Sequence, residues 1–192
     1  AMPLLLENLG CDIVKIYCDP NGIFKRGAEP LPENLSDLSD LVIRENCDVG
    51  FAVDPDSDRL AIIDENGKPL GEEYTLVLAA AGYLSQKENS EVLVTNLSSS
   101  IALDKLADKY NSTVLRSAVG EINVVNKMVE CNSSFGGEGN GGVILKDAHL
   151  GRDALVGAAL ILSHLSHQKT TLSETHKALP QYVIVKDKIN IK

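Results

Sequence analysis

Short β-prone runs alternate with helical stripes along this chain, and the rhythm repeats once, which points to layered α/β architecture. The first cycle opens on a helix over residues 3–9 that Gly10 is placed to end. Alternating apolar and polar side chains over 11–17 predict a half-buried strand. A turn at 19–22 and a proline-stiffened connector at 28–32 lead to a helical stripe, Leu35, Leu38, Leu41 and Val42, with Ser36 as its expected cap. Two apolar strands, 48–53 and 60–63, flank an acidic loop, and a tight turn follows at 65–68. A nearly all-aliphatic helix over 75–84 carries the chain into the second cycle. There the order is strand 91–95, helix 101–110, strand 113–116 and helix 122–129. Strands near 133–135 and 143–145 come next, then a long helix over 152–167 opened by Asp153. The expectation is α/β: two consecutive layered α/β domains with mixed sheets, over 1–73 and 74–181. Residues 182–192 are expected to form an exit strand or linker. A self-contained α/β domain usually begins on a strand, so the first domain is expected to lack its opening strand.

Composition narrows the function. Net charge is −9 with a pI near 4.9. A nucleic-acid partner needs clustered Lys and Arg, and an anionic membrane surface needs the same, so neither is expected. Only 4% of residues are aromatic and none is Trp, so the core must be aliphatic. No apolar run approaches the ~20 residues of a membrane span. The start has no basic flank and does not resemble a signal peptide; Ala ahead of Met suggests a chain that begins inside a longer product. Cys11, Cys18, Cys47 and Cys131 form no Cys-x-x-Cys pair and have no zinc-like spacing to His. They are expected to be reduced, in a cytoplasmic protein.

Asp54-Pro55-Asp56-Ser57-Asp58-Arg59 is the most informative segment. In extended backbone an i, i+2, i+4 spacing projects three carboxylates to one side. They would repel one another and raise one another's pKa values unless a cation lay between them. A hard cation with oxygen ligands, Mg²⁺ or Ca²⁺, resolves that conflict. Arg59 beside such a cluster suits a doubly charged phosphate. The alternatives are a solvated acidic turn and a phosphatase whose nucleophile is the first Asp of an Asp-x-Asp pair. An EF-hand fits poorly, lacking Gly at loop position six and Glu at twelve.

Residues 136–142 hold five glycines around Glu138 and Asn140. Glycines permit close backbone approach to a ligand, Glu138 offers an acceptor for paired sugar hydroxyls, and Asn140 offers donor and acceptor. A plain hairpin turn accounts for the same residues. Ser98-Ser99-Ser100 ends a strand and opens a helix, where capping explains it more simply than nucleophilic chemistry. Glu121 favours the first turn of its helix. His149, next to Gly151-Arg152-Asp153, is the His placed to reach a site.

Together these segments resemble the α-D-phosphohexomutases, the family of phosphoglucomutase, phosphomannomutase and phosphoglucosamine mutase. The resemblance rests on the run 54–59, on Gly71-Glu72-Glu73, on Val119-Gly120-Glu121, on the glycine loop 137–142 and on Gly151-Arg152-Asp153, in that order along the chain. It implies an isomerase in which a phosphoserine on another domain exchanges phosphoryl groups with a hexose phosphate through a bisphosphorylated sugar. It implies Mg²⁺ on Asp54, Asp56 and Asp58, with Arg59 bracing phosphate as a catalytic residue. Glu138, Gly139 and Asn140 would bind sugar hydroxyls, with Glu121 and Arg116 lining the same region. Many members carry Ser where this chain has Asn140, which resembles the phosphoglucosamine or phosphomannose type. Such enzymes have four domains, and the phosphoserine loop and the C-terminal phosphate-binding domain do not occur in this chain. The expectation is therefore a central fragment, domains two and three, inactive without domains one and four of the same polypeptide. A non-catalytic sugar-phosphate or metal-binding module is the alternative.

Overall fold

The computed structural model describes residues 1–184. Helix α1 (Met2–Asn8) stops as expected at Gly10, whose φ of 82° only glycine adopts freely. Residues 11–17 form no strand. Their alternation is present, but it specifies a face and not a partner, and no strand among the described residues pairs with them. Helix α2 (Ser36–Glu45) is capped by Leu35 at its N-terminus without a side-chain bond, so Ser36 is its first helical residue and not its cap. Its buried face, Leu41 and Val42, sits over β1 (Val49–Val53) and β2 (Leu60–Asp64), an antiparallel pair in register Val49↔Asp64 to Val53↔Leu60.

Helix α3 (Glu72–Leu84) is buried at every position from Tyr74 to Leu84, as an aliphatic run without a polar face requires. It packs against α6 (Ala154–Gln168) closely enough that a Cβ on Gly82 would overlap the carbonyl oxygen of Leu160. Around these helices lies a four-stranded mixed sheet, β3 (Val92–Asn96), β4 (Thr113–Ser117), β5 (Phe135–Glu138) and β6 (Gly142–Leu145), in spatial order β4-β3-β5-β6. β3 runs parallel to β4 and β5, while β6 returns antiparallel. Helices α4 (Ala102–Lys109) and α5 (Glu121–Glu130) make the crossovers. The loops after β3, β4 and β5 therefore gather at one edge of the sheet, the carboxyl edge where open α/β sheets bind ligands. A short helix, α7 (Leu172–Ala178), was not expected. Its capping box, Thr171 with Glu174, is the sequence signal that marks it.

The two sheets share one core. Leu60 and Ile62 of β2 belong to the same buried cluster as α3, α6, Leu93 and Phe135. The hydroxyl of Thr75 donates to the carbonyl of Leu60 at 2.7 Å. No helix among the described residues is long and apolar enough to cross a membrane. All four cysteines are free. The segment expected over 182–192 lies outside the described residues from 185 onward, and 182–184 form no strand.

Candidate functional site

The acidic loop closes as a tight turn rather than a pleated strand. Asp54 accepts the N–H of Ser57 on its carbonyl, and Ser57 takes a left-handed conformation with φ of 60°. Loop closure, not strand alternation, is what brings the three carboxylates together. One oxygen from each of Asp54, Asp56 and Asp58 lies within 4.8 Å of the others. The carbonyl of Ser57 accepts from the N–H of Ala154, which seats the loop on the first turn of α6.

Asp54 is buried and Oδ1 accepts from the backbone N–H groups of Asp58 and Arg59, each at 3.0 Å. Burial pushes its carboxyl up, but those N–H bonds and the Arg59 charge outweigh burial and hold it below the usual range. For Asp58, burial and the neighbouring Asp54 carboxylate push the pKa up to about 6 against the pull of Arg152. Asp54 Oδ2 lies 2.9 Å from Arg59 Nε, yet the N–H does not point at it. Asp54 Oδ2 and Asp58 Oδ1 are thus buried carboxylate oxygens with no hydrogen-bond donor. Native proteins rarely leave such atoms unsatisfied, and a hard cation with oxygen ligands fits both. The surroundings agree: Asp54, Asp56, Asp58, Glu29, Glu121 and Glu138 face Arg26, Arg59 and Arg152, six carboxylates against three guanidiniums.

Arg59 turns its guanidinium onto the carboxylate of Glu29. Glu138 ends β5 and is almost fully buried. Its Oε1 accepts from Asn96 Nδ2 at 2.6 Å and from the N–H of Gly120 at 3.2 Å, and its Oε2 takes Arg152 Nη1 at 3.0 Å. Asn140 Oδ1 accepts from the N–H of Gly142, turning back on its own loop. Gly139 donates its N–H to Ser99 Oγ, and a Cβ there would overlap the Glu73 carboxylate. Gly141, at φ of 90°, places its carbonyl 3.0 Å from the N–H of Leu60, tying the glycine loop to β2.

Arg152 was not singled out as a site residue, and it is the hub. Its guanidinium pairs with Asp58, with Glu138 and with Glu121 (Nε to Oε2, 3.4 Å), while its N–H donates to Glu121 Oε1 at 2.8 Å. Asp54, Asp56, Asp58, Arg59, Glu138 and Glu121 thus meet in one polar cluster. Arg116 stands one step away: it binds the carbonyls of Asn96, Ser99 and Ser100 and the carboxylate of Asp104, and so braces the loop that holds Asn96. Ser99 and Ser100 are engaged structurally. Ser99 Oγ donates to Asn96, and Ser100 Oγ accepts from the N–H of Ala102. His149 reaches Asp153 at 3.1 Å, at the exposed rim.

Comparison with known proteins gives this arrangement a family. The model for "Phosphoglucomutase/phosphomannomutase, alpha/beta/alpha domain II" matches residues 1–67, and that for "alpha/beta/alpha domain III" matches 70–183. The chain belongs to the phosphoglucomutase/phosphomannomutase family and carries its domains II and III. It is 36% identical over its whole length to a phosphoglucomutase/phosphomannomutase of Thermococcus kodakarensis, of which it covers 42%. It is 34% identical over 97% of its length to a probable phosphoglucosamine mutase of Methanopyrus kandleri, of which it covers 41%. A crystal structure of a phosphoglucomutase/phosphomannomutase family protein from Burkholderia thailandensis superposes with a TM-score of 0.82 at 26% identity, over 95% of this chain and 41% of that one. The chain spans about two-fifths of the length of these relatives.

Proposed function

We propose that this chain is the central part of a Mg²⁺-dependent phosphohexomutase that interconverts hexose 1-phosphate and hexose 6-phosphate, with phosphoglucosamine or phosphomannose as the sugar. Residues 1–73 and 74–181 serve as its second and third domains, and 182–192 lead toward a fourth. The reading is carried by the pair of donorless carboxylate oxygens on Asp54 and Asp58. Mg²⁺ held by Asp54, Asp56 and Asp58 supplies charge for a phosphoserine and the group it transfers, which is most of what phosphoryl transfer asks of a protein. Arg59 meets phosphate by exchanging its exposed partner Glu29. Glu138, Gly139 and Asn140 present the sugar-binding edge, and Arg152 holds that edge against the acidic loop. Glu121 and Arg116 set the positions of Arg152 and Asn96. The free thiols fit a reducing compartment, the cytoplasm.

A phosphatase led by Asp54 is disfavoured by geometry. Its Oδ1 holds two backbone N–H groups and its side chain is 1% exposed, which leaves no path for a phosphoester.

Two measurements test the reading. Mn²⁺ titration followed by electron paramagnetic resonance should show one site per chain, weakened at least about tenfold by Asp58→Asn. Unchanged affinity in that variant would remove the cation from the acidic loop. Purified 192-residue protein should show no conversion of hexose 1-phosphate to 6-phosphate, because the phosphoserine comes from elsewhere in the polypeptide. Turnover by the chain alone would overturn that part.

A further inference from the structure

Beneath the glycine loop lies a buried polar network. Thr95, Asn96, Ser99, Ser100 and Glu138 are each 7% exposed or less, although all carry hydrogen-bonding side chains. The network runs in one direction. Thr95 Oγ1 donates to Ser99 Oγ at 2.7 Å, Ser99 Oγ donates to Asn96 Oδ1 at 2.9 Å, and Asn96 Nδ2 donates to Glu138 Oε1 at 2.6 Å. Ser99 Oγ also accepts the N–H of Gly139 at 2.9 Å. Its hydroxyl thus takes two donors and gives one, which uses both lone pairs and the single hydrogen. A hydroxyl so engaged has no lone pair left to act as a nucleophile.

Asn96 is fixed as firmly. Its Oδ1 accepts from the N–H of Ser98 at 2.9 Å as well as from Ser99. Turning the amide over would lose both bonds and set the oxygen against the Glu138 carboxylate. The loop that carries Ser99 is clamped from a second side. The N–H of Ser100 donates to Glu73 Oε2 at 2.8 Å, and the same carboxylate packs against Gly139, where an added Cβ would overlap it. These ties converge on the Glu138 side chain and the Gly139 backbone. None of them touches Asp54, Asp56 or Asp58. Asn96 and the N–H of Gly120 together fill Oε1 of Glu138, so the carboxylate cannot rotate, and Oε2 is turned toward Arg152 and the acidic loop.

We infer that Ser99 and Asn96, with Thr95 behind them, are positioning residues for sugar recognition, acting through Glu138 and Gly139; the inference rests on the catalytic reading of the site. A buried network in which every member is satisfied specifies one arrangement. Here that arrangement is the direction of one carboxylate and the seat of one backbone N–H, on the loop that presents the sugar-binding edge. Displacing such groups costs a site far more than the lost bond alone. The network leaves the cation ligands alone, so sugar and cation affinities should respond to it separately.

The test is titration of the 192-residue protein with glucosamine 6-phosphate, followed at backbone amides by nuclear magnetic resonance, with Mn²⁺ affinity measured on the same samples. Ser99→Ala should weaken the sugar phosphate at least about tenfold, because it strands the Gly139 N–H and frees Asn96. Thr95→Val, which keeps the shape and removes only the first donor, should weaken it about threefold, and Thr95→Ser should restore it. Mn²⁺ affinity should stay within about twofold in all three variants, as for independent sites. Wild-type affinity for the sugar phosphate in both Ser99→Ala and Thr95→Val would overturn the inference alone. So would Mn²⁺ and sugar affinities falling together, which would mark a general loosening of the fold. Wild-type protein that binds no glucosamine 6-phosphate would bring down the catalytic reading, and the inference with it.

Discussion

Arg152→Ala is expected to lower the unfolding free energy by about 3 kcal/mol, at the lower end of the range for truncating one partner of a buried ion pair. The loss is large because Arg152 is shared: Asp58, Glu138 and Glu121 all give up a partner at once. It falls at the lower end because Glu138 keeps the N–H donors of Asn96 and Gly120. Urea unfolding followed by circular dichroism reads the change. The double variant Arg152→Ala/Glu138→Gln should be less destabilised than the sum of its two single variants, since the uncompensated charge is gone. A single-variant cost below about 1 kcal/mol would mean that Arg152 is a solvated surface arginine and not the hub of this cluster.

Gly82→Ala carries the other large effect, and its sign is the informative part. Helix propensity alone favours alanine over glycine by about 1 kcal/mol. Here the added Cβ overlaps a backbone oxygen of α6, which no rotamer change relieves, and overpacking of that kind costs about 1–3 kcal/mol or more. The net expectation is a loss of about 2 kcal/mol, roughly a 5 °C fall in melting temperature for a chain of this size. Calorimetry showing a stabilised variant would mean that α3 and α6 do not cross at Gly82.

The parts legible in the sequence are those where a local pattern has a local cause. The aliphatic run of α3, the strands either side of the acidic loop and the glycine-permitted turn at 139–141 all formed where their residues call for them. The convergence of Asp54, Asp56 and Asp58 was legible too, although through a left-handed Ser57 and not through strand pleating. Arg152 was not, because its partners lie 94, 31 and 14 positions away and only the fold assembles them. Residues 11–17 show the converse: alternation was readable, but a strand also needs a neighbour. Ser36 is not the cap because it is already the first helical residue, with Leu35 in the cap position.

The bond from Thr75 to Leu60, within a core that both sheets share, sets how far the cleft between the acidic loop and the glycine loop can breathe. The acidic loop hangs from β2 and the glycine loop from β5, and Leu60, Ile62 and Phe135 sit in one continuous aliphatic mass. Drawing the two loops apart would wet that mass, so they form a fixed jaw of constant gape. On the function proposed above, reorientation of a bound sugar would have to be accommodated by movement of whatever closes over this jaw, not by flexing within it.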